Sequence, residues 1–251
     1  IGTAAGTLFS LLYAWFLLKR EGFFHGGRWI PDTAYFKKVG PLFGSVLSEQ
    51  GSERIGMVLF SRMAAGLGTV PFAVHSICMN ICDIYYDFIM GFGKAGMVSA
   101  GQAVGRGSMA DWQQYRKRGL RWCLLLSTAA CVSILFFEDS LFSIYSSDPA
   151  LHVLAGTIMV FIALVSYPEA LALWGAGILR GSGQTAQVAA YSFLSITFLR
   201  PLMTAFFIYV LDMGLIGTWC ALFIDQVIRA SCAAFLVNRL SAKRGFLPDA
   251  G

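Results

Sequence analysis

Residues 151–178 read LHVLAGTIMVFIALVSYPEALALWGAGI. This run of 28 residues carries one formally charged side chain, Glu169, directly after Pro168. A helix that crosses a bilayer needs about 20 mostly apolar residues, so the run reads as a membrane span. Six further runs share its character: residues 1–18, 37–65, 70–98, 120–137, 188–211 and 215–237. Over all 251 residues, 57 % are hydrophobic and only 13 % charged, a balance outside that of ordinary soluble domains. The expected fold class is therefore all-α, a polytopic membrane protein.

The charges between these runs alternate. Lys19, Arg20, Arg28, Lys37 and Lys38 follow the first, whereas residues 66–69 hold no base. Arg106, Arg116, Lys117, Arg118 and Arg121 follow the third; Glu138, Asp139 and Asp148 follow the fourth. Arg180 edges the fifth loop, Asp212 is alone in the sixth, and the tail carries Arg239, Lys243 and Arg244. The positive-inside rule assigns the basic loops and the C-terminus to the cytoplasm. The expected location is a plasma membrane, that of a bacterial cell. The net charge of +5 is this topogenic signal, with attraction to an anionic inner leaflet. The bases are spread over separate loops without an aromatic platform, which argues against a nucleic-acid partner. The chain starts inside an apolar run, without Met and without a preceding signal peptide. It is expected to be the C-terminal piece of a longer membrane protein. Transporters are often built from two similar halves, but no internal repeat is evident within this piece.

Ionisable groups at mid-membrane cost about 2.5–3.5 kcal/mol each on insertion scales, so they face a cavity or a partner. In the second run Glu49 and Glu53 lie one turn apart, with Arg54 next to them and Pro41 near the start. An ion pair would account for Glu53 and Arg54, whereas Glu49 has no sequence-local partner. In the third run Asn80, Asp83, Asp87 and Lys94 recur at helical spacing and form a polar stripe. Such a stripe implies either a wet interior or a structural salt bridge. Glu169 in the fifth run stands alone beside Pro168, where a freed carbonyl and a bend are expected. A broken helix beside a carboxylate is one way to build an ion site. Arg200, Asp225 and Arg229 read as structural, the last two as an i, i+4 pair.

Other signals point to packing. Cys78, Cys82, Cys123, Cys131, Cys220 and Cys232 sit in apolar runs and read as small buried hydrophobes. Gly91-Phe92-Gly93-Lys94-Ala95-Gly96 matches G-x-G-x-x-G but lacks the strand that motif requires. Its glycines, like Gly101 and Gly105, are expected to permit close helix packing. No residue set supports an enzyme, and no organic cofactor is implied.

Against that background, Gly177-Ile178-Leu179-Arg180-Gly181-Ser182-Gly183-Gln184-Thr185 resembles the G-x-L-R-G-x-G-[DQ]-T signature of multidrug and toxic compound extrusion transporters. Gly40-Pro41 followed by Glu49 resembles that family's seventh helix. Phe72-Ala73-Val74-His75 resembles the start of its eighth, and residues 101–107 resemble the exit of the eighth. Arg200-Pro201 and Gly214-Leu215-Ile216-Gly217-Thr218-Trp219 resemble its eleventh and twelfth. The resemblance covers the whole chain as helices six to twelve. It implies the end of helix six over residues 1–18, a cytoplasmic linker over 19–36, a six-helix C-terminal lobe over 37–239 and a cytoplasmic tail over 240–251. The N-terminal lobe would be the missing partner.

The implied activity is secondary active multidrug efflux. Small-molecule organic cations would leave in exchange for Na⁺ or H⁺ by alternating access. Glu49 and Glu169 match the two coupling-ion acids of this lobe, and both would be the Na⁺ ligands. Two departures bear on the ion: Glu169 stands where many relatives carry Asp, and Val165 where a Tyr is expected, the nearest being Tyr167. Asp83, Asp87, Asn80 and Tyr86 are the expected substrate-cavity residues. An acidic low-dielectric cavity attracts lipophilic cations, and a proton can compete with a cation for one carboxylate. Tyr85, Tyr86 and Trp174 could add cation–π contacts, although packing explains them as well. Two alternatives stay open. A lipid-linked saccharide flippase of the same superfamily expects a basic cavity. A non-transporting membrane receptor or scaffold expects Glu49 and Glu169 each bound to an Arg.

Overall fold

A computed structural model describes residues 2–20, 22, 33–145 and 149–242, and among these it holds helices and no strand. The helices are α1 (Gly2–Arg20), α2 (Thr33–Ala65), α3 (Thr69–Gly105), α4 (Met109–Phe136), α5 (Glu138–Ser143), α6 (Pro149–Gly181), α7 (Thr185–Phe193), α8 (Arg200–Ala205) and α9 (Gly214–Ala242). Two π-helical segments, Leu194–Leu199 and Phe206–Val210, flank α8, so residues 185–210 form one interrupted rod. Four stretches among the described residues are long and apolar enough to cross a membrane: Met109–Phe136, Leu154–Gly181, Thr185–Val210 and Gly214–Ala242. The short α5 lies where only a loop is expected from the sequence. The linker and tail expected at residues 19–36 and 240–251 fall largely outside the described residues.

The chain divides into two units, Ile1–Pro41 and Leu42–Gly251. In the first, α1 exposes Leu8, Phe9, Leu11, Tyr13, Leu17 and Leu18 around its circumference, as a helix in an apolar solvent does. In the second, α6 is central and packs on α3, α4 and α9. The helix contacts explain much of the glycine signature. A Cβ on Gly177 would run into the Gly93 carbonyl of α3, and one on Gly181 would meet the Ala100 Cβ at 2.9 Å. Gly183, at φ 80°, closes α6. Its N–H donates to the Arg180 carbonyl (3.1 Å) and the Gln184 N–H to the Leu179 carbonyl (2.9 Å), the paired bonds of a Schellman cap. The Trp112 indole N–H then donates to the Ser182 hydroxyl at 2.9 Å, tying α4 to that cap. Gly93 and Gly96 do sit at close approaches, but Gly91 and Gly105 meet open space. The close-packing expectation therefore holds for only part of the glycine set.

Two apolar clusters fill the unit. One joins Phe60, Cys78, Ile81, Ile158, Ile162, Trp219 and Leu222; the other joins Ile89, Trp112, Ala170, Trp174, Ile178 and Val237. Along α3, α6 and α9 the boundary between them falls at residues 83, 166–169 and 225–229. These are the polar positions of each helix, so the fold holds a polar layer at mid-depth between two apolar halves.

Candidate functional site

The layer opens into a cavity of about 250 Å³ lined by α2, α3, α6, α8 and α9. Its polar lining is Gln50, Glu53, Arg54, Asp83, Tyr86, Glu169, Arg200, Gln226 and Arg229.

Glu169 is 4 % exposed. One carboxylate oxygen accepts from the Gln226 amide at 3.1 Å, and the other has no hydrogen-bond partner. At Pro168 the helix is not interrupted: α6 runs through it from Pro149 to Gly181. Instead, two hydroxyls from neighbouring helices bond the backbone just before the proline. The Tyr85 phenol donates to the Ser166 carbonyl at 2.9 Å, and the Ser127 hydroxyl lies 2.8 Å from the phenol oxygen and 3.1 Å from that carbonyl, with one proton to give to either. This arrangement braces the turn that carries Glu169, and it assigns Tyr85 to packing. Trp174 is likewise clamped between Gly96 and Gly119.

The irregular backbone occurs one rod later. Pro201 supplies no N–H to the carbonyl of Thr197, and the ladder shifts so that the Arg200 N–H donates to the Ser195 carbonyl, five residues back. The shift presents Arg200 to the layer. Its Nε donates to Asp225 Oδ2 at 3.0 Å, its Nη2 contacts the same oxygen, and the Ser195 hydroxyl donates to Oδ1. Arg200 Nη1 meets Met57 Sδ at 3.3 Å, and its guanidinium lies 5.8 Å from the Phe60 ring centre. The expected i, i+4 pairing of Asp225 with Arg229 is therefore replaced. Arg200 reaches Asp225 from an adjoining helix with two donors, and Arg229 is left buried, its Nε without a hydrogen-bond partner.

Of the residues expected in the site, Glu169, Asp83 and Tyr86 line the cavity. Tyr86 donates to Glu53 Oε1 at 3.4 Å, and Gln50 donates to the other oxygen at 3.3 Å. Asn80 and Asp87 are exposed and are not lining residues. Glu49 belongs to α2, but its side chain lies outside the described residues. Sequence reasoning missed Gln226, Arg229 and Arg200 as lining residues, because local spacing offered an internal ion pair as a sufficient account. The cavity is consequently of mixed sign, with Arg54, Arg200 and Arg229 facing Glu53, Asp83 and Glu169. Among the described residues no group of three or more His, Cys, Asp or Glu is arranged to hold a metal ion.

The family model described as MatE matches residues 41–206. The chain is 26 % identical over 184 residues to "Probable multidrug resistance protein NorM" of Xanthomonas campestris pv. campestris, covering 70 % of this chain and 39 % of that protein. It is 23 % identical over 248 residues to "Multidrug resistance protein MdtK" of Yersinia enterocolitica, covering 94 % of this chain and 53 % of that protein. The chain thus spans roughly half or less of these relatives' lengths. A solved structure described as "Crystal structure of MATE in the straight conformation" superposes with a TM-score of 0.83 at 14 % identity, covering 95 % of this chain and 54 % of that one.

Proposed function

The chain belongs to the MatE family, and from that premise we propose that it is the C-terminal half of a secondary transporter exporting organic cations in exchange for Na⁺ or H⁺. The half comprises the end of one helix (1–18), a linker (19–36), a six-helix lobe (37–239) and a tail (240–251), with the linker and tail in the cytoplasm. An N-terminal lobe closes the cavity from the other side. The relatives' names supply the multidrug reading.

One observation carries the mechanism: Glu169 is buried in a cavity wall with one oxygen held by Gln226 and the other unpartnered. A carboxylate in that setting takes a proton or a cation, and binding of either one excludes the other. Exchange follows when the cavity faces the two sides of the membrane in turn. Gln226 holds the carboxylate at a fixed angle, and the hydroxyl brace on Ser166 holds the turn. Glu49 on α2 serves as the second coupling-ion acid, and Asp83 and Glu53 attract the organic cation.

The guanidiniums favour a second reading. Arg54, Arg200 and Arg229 line the cavity, as the flippase alternative requires. Asp225 neutralises Arg200, which leaves carboxylates in slight excess and keeps the antiporter reading first. Glu169 also bonds Gln226 and not an Arg, contrary to the expectation for a scaffold.

The test is gradient-driven ethidium movement by the full-length protein in liposomes, under Na⁺ or proton gradients, for wild type, Glu49→Gln and Glu169→Gln. Movement that is lost in both variants identifies these acids and names the ion. Undiminished movement in both removes the carboxylates from the mechanism.

A further inference from the structure

A second pocket of about 190 Å³ lies away from the cavity, between α4, α6 and α9 at the ends where the basic residues gather. Its walls are Leu120, Leu171, Ile178, Ala234 and Val237, with Arg116, Trp174 and Asn238 as its polar members. None of the lining residues is acidic. The flanking side chains Leu120, Trp122 and Phe235 are exposed and apolar, so the crevice opens on a lipid-facing surface.

The polar groups are mostly donors, and their one side-chain acceptor, Asn238 Oδ1, is already taken. Arg116 Nη1 donates to Asn238 Oδ1 at 3.0 Å, which fixes the guanidinium and leaves the Asn238 amide N–H groups turned away from that bond. Arg116 Nε is buried without a hydrogen-bond partner. Trp174 is 7 % exposed and its indole N–H is also unpartnered. Glycines hold that indole in place, since a Cβ on Gly119 would overlap the ring and one on Gly96 would meet Cζ3 at 2.6 Å. The nearby acid Asp111 is occupied by Arg106 at 3.3 Å, so Arg116 is not neutralised from its own helix. Lys117, Arg121 and Arg239 are exposed around the same end.

An occupant must bring acceptor oxygens and negative charge to Arg116, and an apolar body to the crevice. We infer that this is a binding site for an anionic phospholipid, with the phosphate on Arg116 and Asn238 and an acyl chain along Leu120, Leu171, Ala234 and Val237. Basic pockets between membrane helices on the cytoplasmic side are suited to such headgroups. The site is independent of the transported substrate.

Native mass spectrometry of the full-length protein, delipidated and then titrated with phosphatidylglycerol or phosphatidylcholine, tests this. Wild type is expected to retain one phosphatidylglycerol through washing and to prefer it over phosphatidylcholine by at least tenfold. Arg116→Gln is expected to lower retention at least tenfold. Ala234→Phe, which fills the crevice from its exposed wall and leaves the Arg116–Asn238 bond intact, is expected to do the same. Equal retention by wild type and Ala234→Phe overturns the assignment. So does equal binding of the two lipids, or displacement of phosphatidylglycerol by millimolar inorganic phosphate, which would identify a simple anion site.

Discussion

Removing one member of the Arg200–Asp225 pair is expected to destabilise the lobe more than removing both. The two side chains are 4 % and 1 % exposed, and Nε lies 3.0 Å from Oδ2. At that separation and an effective dielectric of about 20, their attraction is about 5.5 kcal/mol. Desolvation costs several kcal/mol per ion, so the intact pair contributes little net stability. Asp225→Leu leaves Arg200 charged, buried and unpaired, and is expected to cost about 3–5 kcal/mol. Stranding the Ser195 hydroxyl adds to that cost unless it turns to a backbone carbonyl of its own helix. Arg200→Met alone leaves Asp225 with the Ser195 hydroxyl and with Arg229 one turn away, and is expected to cost less, about 2–3 kcal/mol. The double variant Arg200→Met/Asp225→Leu removes both charges and is expected to cost only about 1–2 kcal/mol, a coupling energy of at least ~3 kcal/mol. The assay is reversible unfolding of the full-length protein in mixed micelles by SDS titration, across the four members of the cycle. Additive losses, with the double variant as unstable as the sum of the singles, would refute the assignment of a closed buried pair.

Three further outcomes are expected. Gly177→Ala drives a methyl into the Gly93 carbonyl, whereas a Cβ at Gly156 on the same helix meets nothing within 4 Å. The first should destabilise by about 1–3 kcal/mol and the second should stabilise by up to about 1 kcal/mol, read by the same unfolding assay. Tyr85→Phe removes a phenol bonded to Ser127 and to the Ser166 carbonyl and should cost about 1–2 kcal/mol, with a larger loss of ethidium transport than of stability because the turn carrying Glu169 loses its brace. Asp83→Asn should weaken ethidium binding about tenfold, or 1.4 kcal/mol, while Asp87→Asn, whose carboxylate is exposed and outside the cavity lining, should leave it unchanged in a fluorescence titration.

The membrane helices were legible where an apolar run of spanning length needs no tertiary context: four such stretches stand among the described residues, and α6 moves only from 151–178 to Pro149–Gly181, whereas α4 begins at Met109, eleven residues before the expected start, because its first turns are polar and basic. The helix-closing glycines were also legible as a motif, although only the structure separates Gly183, needed for its positive φ, from Gly177 and Gly181, needed for close approach. The charged residues were harder to read. Asp225 and Arg229 sit at ideal spacing to pair, and nothing local shows that Arg200, displaced by a π turn before Pro201, reaches Asp225 first. The Asn80–Asp83–Asp87 stripe is real as a helix face, yet a face is wider than a cavity, and only Asp83 falls inside it.

Unpartnered buried atoms do not by themselves mark a site: His75 and the Trp219 indole also lack hydrogen bonds, but they pack against each other and Phe60 in the apolar cluster, apart from the cavity lining, and an unpaired polar group there costs about 1–3 kcal/mol. The cavity differs because three residues of its lining each carry such an atom: Glu169 Oε2, Gln226 Oε1 and Arg229 Nε. The first two are acceptors and the third is a donor. A bare cation or a proton on Glu169 satisfies the acceptors and leaves the guanidinium worse off, since it adds positive charge to the same space. Water supplies both functions, and so does a cation that enters with an oxygen of its own. On the proposed antiport reading, occupation of Glu169 is therefore coupled to what sits on Arg229. An organic cation carrying an acceptor group answers the whole lining, while one without it relies on a retained water, and Arg229→Gln should narrow the difference in binding between those two kinds of substrate.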